Sequence, residues 1–171
     1  MDFVYLDNAA TTKPCAAATE ATLLAMQTVW GNPSSLHDFG LQAEQLVSTA
    51  RQTIADRLEC EPQEIYFTSG GTEANNTAIF GTAEALSRRG KRIVTTAVEH
   101  SSVLAATDAL EKKGFEVVRL VPDAHGQISA DAIFDAVTKD TILVSIMLVN
   151  NETGAIFPVA AAKEALLQAG S

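Results

Sequence analysis

The chain has 171 residues, 47% hydrophobic and 19% charged, a globular composition long enough to bury a substantial core. Twelve basic against 21 acidic residues leave a net charge of −9, which argues against nucleic acid as the main partner. No apolar run approaches the roughly 20 residues of a membrane span, MDFVYLDNAATT lacks a signal-peptide pattern, and Cys15 and Cys60 have no metal-ligand spacing, so a cytoplasmic chain with no metal and no membrane partner is expected.

In chain order, Pro14 suits the first turn of an Ala-, Thr- and Leu-rich helix that the GNP at 31–33 stops. Residues 41–58 carry apolar side chains at Ala43, Leu46, Val47, Ala50, Ile54 and Leu58, the spacing of an amphipathic helix. EIYFT at 64–68 predicts a short strand, and 72–89 a helix ended by Gly90. The basic run RRGKR at 88–92 reads as a solvated helix end. A strand follows over 92–98, then a helix over 101–113 closed by Gly114 and a strand that stops at Pro122. DAHG at 123–126 makes a turn, with His125 a turn residue, and Ser129 caps a helix over 131–137. The nine-residue, mostly apolar run TILVSIMLV, 141–149, lacks polar alternation, as in a strand covered on both faces. A last helix spans 159–169 and ends at Gly170.

Strands alternating with helices imply βαβ units around a mostly parallel sheet. The rhythm calls for another buried strand after the last helix, so the sequence reads as the front part of a larger α/β domain. In open α/β sheets ligands bind beyond the carboxyl ends of the strands. Three loops there are distinctive: SGGT at 69–72, EHSS at 99–102 and NNETG at 150–154.

Each loop has two readings. Gly70, Gly71 and Thr72 make either a tight turn with a helix start or an anion cradle of backbone N–H groups and a hydroxyl. His100 is either a polar residue flanking a helix or an aromatic, titratable plate that can stack on a planar cofactor. Asn150 to Glu152 supplies either turn hydrogen bonds or an amide donor for a phenolate oxygen. His37, in a loop rich in turn residues, could be structural or line a site. Trp30 packs at a helix end, and Cys15 and Cys60 read as packing or surface thiols rather than nucleophiles.

YLDNAATT, GNPSSLHDFG, IYFTSGGTEANN, EHSSV and ILVSIMLVNNETGAIFPV occur in the order seen in pyridoxal-phosphate-dependent cysteine desulfurases. The chain thus resembles the NifS/IscS-like members of the class V aminotransferase group over essentially its whole length. The resemblance implies an incomplete type I PLP-dependent transferase fold, an α/β/α arrangement of three layers with a mainly parallel sheet. Residues 1–14 would join the small domain or cross the active-site entrance, and 15–171 would form the front part of the large domain. Gly71 and Thr72 would bind the phosphate of pyridoxal 5′-phosphate. His100 would stack on the pyridine ring and assist proton transfer, and Asn151 would hydrogen-bond the phenolic oxygen.

The implied reaction removes sulfur from L-cysteine, leaving L-alanine and a persulfide on an enzyme cysteine. Iron–sulfur scaffold or sulfur-acceptor proteins would be partners of a homodimer. The pattern departs from the family where it matters for catalysis. No position matches the aspartate facing the pyridine nitrogen, the Schiff-base lysine, the persulfide cysteine or the substrate-binding arginine. Lys139 and Lys163 sit in turn or helix contexts, and neither Cys15 nor Cys60 has the catalytic context. The chain alone is therefore expected to be inactive, with an unpaired sheet edge and exposed apolar surface that favour association. The alternatives are another class V enzyme, such as a selenocysteine lyase or an aminotransferase-like protein, or a non-catalytic remnant.

Overall fold

The computed structural model describes residues 3–170, which fall into two compact units, one up to Phe67 and one from Thr68. The first contains α1 (Ala16–Gln27), α2 (Asp38–Leu58) and a single 3-10 turn (Pro62–Glu64). α2 begins at Asp38, three residues earlier than its apolar pattern, because His37 caps it. The His37 Nδ1 accepts the Gly40 N–H at 3.3 Å, and Gly40 packs so tightly on Ser35 that a Cβ would strike its carbonyl. Arg51 ties α2 to the following segment by donating to the Ile65 carbonyl and lying 4.9 Å above the Phe67 ring. Trp30 stacks on Phe39 with ring centroids 5.5 Å apart. α1 buries none of its residues, and Leu23, Leu24 and Met26 are exposed.

The expected strand at 64–68 does not form: Ile65 to Thr68 have no regular secondary structure and belong to no ladder. A strand exists only through a neighbour's hydrogen bonds, and none of the three strands of the sheet pairs with this segment.

The second unit contains α3 (Gly71–Leu86), β1 (Arg92–Thr96), α4 (Ser101–Lys112), β2 (Glu116–Leu120), α5 (Ala130–Ala136), β3 (Thr141–Ser145) and α6 (Val159–Ala169). The strands pair in parallel in the order β2-β1-β3, so β1 is central. Side chains alternate across its pleat. Ile93 joins Ile79, Ala83, Val103, Ala106 and Leu110 of α3 and α4, whereas Val94 joins Ile133, Ala136, Ala161 and Ala165 of α5 and α6. Two helical layers thus sandwich the sheet, as the alternating pattern predicts.

Arg92 corrects the reading of the basic run. It is the first residue of β1, half-buried, bonding the Ala136 carbonyl and the Glu116 carboxylate, each at 2.9 Å. The turn before it passes so close to Asp140 that a Cβ on Gly90 would collide with the Asp140 backbone. β3 pairs with β1 through a bulge, Arg92 opposite Thr141 and Ile93 opposite Leu143, which leaves Ile142 as the extra residue. β3 is also shorter than its apolar run and mostly half-buried, because β1 is its single partner in this sheet. No helix among the described residues is long and apolar enough to cross a membrane.

Within β1 the Thr95 hydroxyl is fully buried and has no hydrogen-bond partner. An unsatisfied buried hydroxyl costs about 1–3 kcal/mol, and an apolar isostere removes that cost. Thr95→Val is expected to raise the free energy of unfolding by about 1 kcal/mol, read from the midpoint of a urea transition. A lowered midpoint would show that the hydroxyl is satisfied in solution.

Candidate functional site

β1 and β3 are neighbours, yet the chain leaves them in opposite directions. β1 leads to α4 on one face and β3 leads to α6 on the other. Two departing connections that part in this way open a crevice beyond the carboxyl ends of the strands. EHSS and NNETG border that crevice.

Two buried polar side chains lock these loops together. One carboxylate oxygen of Glu99 accepts from the Thr96 hydroxyl and from the Met147 N–H, both at 2.9 Å. In return Asn150 donates its amide to the Val98 carbonyl at 3.0 Å. The Asn150 Oδ1 also accepts from the Glu152 N–H, the Thr153 N–H and the Thr153 hydroxyl, while Val149 and Ile156 bridge the loop's base. Gly154 takes a left-handed φ of 73° that lets the chain turn back. Asn150 therefore does the turn chemistry open to it from sequence. Asn151 is left exposed, its amide donating to Glu152 at 2.8 Å.

The SGGT loop joins through a third link: the Asn75 amide, one turn into α3, donates to the Ser102 hydroxyl at 2.9 Å. The first turn of α3 leaves N–H groups without helical acceptors and carries the positive end of the helix dipole. Neither Gly70 nor Gly71 has an atom within 4 Å of where a Cβ would stand, and the φ of Gly70, 164°, is extended backbone open to any residue. The two glycines are thus required neither by packing nor by conformation within the chain, and the surface they leave bare is open to a ligand. Thr72 is exposed, and its hydroxyl has no partner among the described residues.

Ser69 is held in place by Glu73, whose carboxylate accepts both its hydroxyl and its N–H at 2.6 Å. The hydroxyl bond first and the N–H bond second pull the Glu73 carboxyl below its ordinary 4.5.

Of the residues picked out from sequence, Gly71, Thr72, His100 and Asn151 all lie on these three linked loops, each exposed. His100 caps α4, its Nδ1 accepting the Ser102 N–H at 3.1 Å. His37 is a helix cap in the first unit, and His125 sits in a turn whose N–H bonds to Asp123. Cys15 is exposed and Cys60 half-buried. Sequence reasoning missed Glu99, Asn75 and Ser102. The signal for Glu99 was a carboxylate at the end of a buried strand, where an unpaired charge is not tolerated.

The chain matches the pattern of the family described as Aminotransferase class-V over residues 4–171. It is 48% identical over 163 residues to a NifS/IcsS protein homolog of Lactobacillus delbrueckii, covering 95% of this chain and 42% of the relative. It is 46% identical over 156 residues to a cysteine desulfurase IscS of Methanosarcina thermophila, covering 91% and 39%. Its fold matches a solved NifS-like protein with a TM-score of 0.91 at 36% identity, over 97% of this chain and 46% of that one. It also matches SspA in complex with cysteine with a TM-score of 0.88 at 35% identity, over 96% and 47%. The chain spans less than half the length of each of these relatives. With a match that runs from residue 4 to residue 171, the chain belongs to the class V aminotransferase family.

Proposed function

We propose that the chain is the cofactor-holding part of a pyridoxal-phosphate-dependent cysteine desulfurase, which takes L-cysteine to L-alanine and passes the sulfur to an enzyme cysteine. The observation that carries this reading is the three-loop cluster at the crevice between β1 and β3, tied by the Glu99–Met147, Asn150–Val98 and Asn75–Ser102 bonds. The names of the curated relatives and the cysteine bound to SspA support the substrate.

The donor set suits the cofactor. The first-turn N–H groups of α3 and the Thr72 hydroxyl offer hydrogen bonds and a positive dipole end to a phosphate dianion, with no side chain at Gly70 or Gly71 to block its approach. His100 presents an exposed ring at the adjoining helix start, suited to stack on a pyridine. Asn151 holds a carboxylate oxygen with the amide that would serve a phenolic oxygen, so binding exchanges one anionic acceptor for another. Bound there, pyridoxal phosphate supplies an electron sink for an amino-acid substrate. The residues of this chain bind and orient. None of the six lysines lies on the three loops, and the chain alone is expected to release no sulfur from L-cysteine. Residues 1–14 are assigned to the active-site entrance or small domain. The complete enzyme is read as a cytoplasmic homodimer that feeds iron–sulfur cluster assembly.

Equilibrium dialysis with pyridoxal 5′-phosphate tests the cradle. Saturable binding is expected, weakened about tenfold by Thr72→Val, the worth of one hydrogen bond to a charged group. Equal binding by the variant would remove Thr72 from the phosphate site, and no saturable binding would overturn the cofactor reading.

The Ser69–Glu73 clamp gives a second expectation. Because its folded-state value is depressed, Glu73 contributes stability that is present above 4.5 and is lost as pH falls through the folded value. Ser69→Ala removes the larger cause, so the Glu73 carboxyl should titrate closer to 4.5 in a ¹³C-detected titration. An unmoved midpoint would show that the clamp is absent in solution.

A further inference from the structure

The ring of His100 is held by more than its helix cap. Its Nδ1 lies 3.1 Å from the Ser102 N–H and 2.8 Å from the Ser102 hydroxyl, and that hydroxyl in turn receives the Asn75 amide at 2.9 Å. Ser102 is buried and Asn75 half-buried, so water competes poorly for these bonds.

The directions follow from the donor inventory. A backbone N–H can only donate, so Nδ1 must offer its lone pair to Ser102 N–H; a hydrogen on Nδ1 would point at that donor. The Asn75 Nδ2 fills one acceptor position of the Ser102 oxygen, leaving the hydroxyl hydrogen to turn toward Nδ1. Nδ1 thus faces two donors. A neutral imidazole has one ring hydrogen, and here it falls on Nε2.

We propose that Asn75 and Ser102 are positioning residues that hold His100 as the Nε2–H tautomer, with Nδ1 closed to proton transfer. In this arrangement the neutral ring has no free lone pair: Nδ1 is engaged and Nε2 already bears hydrogen. His100 then serves as a fixed aromatic plate whose outer edge donates a hydrogen bond. The tautomer follows from the chain's own bonds; its use against a pyridine ring rests on the cofactor reading above.

The chain has three histidines, so His37→Gln and His125→Gln identify the His100 signals by elimination in long-range ¹H–¹⁵N spectra of the 171-residue protein. The expected pattern of the neutral ring is a protonated Nε2 and an unprotonated Nδ1. Ser102→Ala removes one of the two donors to Nδ1 and should move the tautomer ratio about fivefold toward Nδ1–H, the worth of one hydrogen bond. Asn75→Asp draws the Ser102 hydroxyl to its carboxylate and should move the ratio the same way, while Ser102→Thr keeps the wild-type pattern. A wild-type ring protonated on Nδ1 overturns the proposal, and that result needs no variant to fold. So does an unmoved ratio in both Ser102→Ala and Asn75→Asp. Addition of pyridoxal 5′-phosphate is the separate arm: an upfield shift of the His100 ring protons supports stacking, and saturable binding without that shift removes His100 from the cofactor site while the tautomer stands.

Discussion

A single carboxylate oxygen holds the crevice together. Glu99 is buried at the end of the central strand, where an uncompensated charge would be costly. It is compensated by the Thr96 hydroxyl and by the N–H of Met147, just beyond the neighbouring strand. The charge thereby makes the end of β3 the required neighbour of the end of β1. Asn150 returns the constraint by capping its own loop and bonding the Val98 carbonyl. Each anchor is followed at once by an exposed residue, His100 after Glu99 and Asn151 after Asn150. The buried member of each pair fixes the loop, and the exposed member is left open to solvent beside it.

The third wall depends on a different interaction. α3 brings its open N-terminus to the same place because Asn75, inside its first turns, bonds Ser102 inside the first turn of α4. Ile79 and Ala83 of α3 and Val103, Ala106 and Leu110 of α4 then pack with Ile93 into one apolar cluster, so helix packing and the polar link agree in register. The free N–H groups and the bare glycines are consequences of where that helix starts.

In the first unit no comparable core encloses the apolar side chains. Among its described residues only Gly40, Ala43 and Ala55 are buried within its helices, while Trp30, Leu36 and Leu58 stay exposed. Its order comes from local devices: the His37 cap, the Trp30–Phe39 stack, and the reach of Arg51 to Ile65 and Phe67. Exposed large apolar side chains are concentrated there, with Val121, Leu148, Val149, Ile156 and Leu167 exposed in the second unit.

Helix periods, Gly and Ser boundaries and the alternation of strand with helix were local signals, and α3, α4 and α6 start and stop within about three residues of where those signals lie. The motifs that carry the family resemblance were equally local, and so was the short list of Gly71, Thr72, His100 and Asn151. What the sequence could not contain was pairing. EIYFT has every strand propensity and forms no strand, since propensity does not provide a neighbour. Asn75 looked like one polar residue of a helix, and Ser102 like one of two serines after a histidine. Their bond spans 27 positions, and only the packing of α3 on α4 brings them together. The residue types and their order were thus determined by the sequence alone, whereas the direction of each hydrogen bond at the site was decided by the tertiary structure, because donors and acceptors choose partners by distance in space.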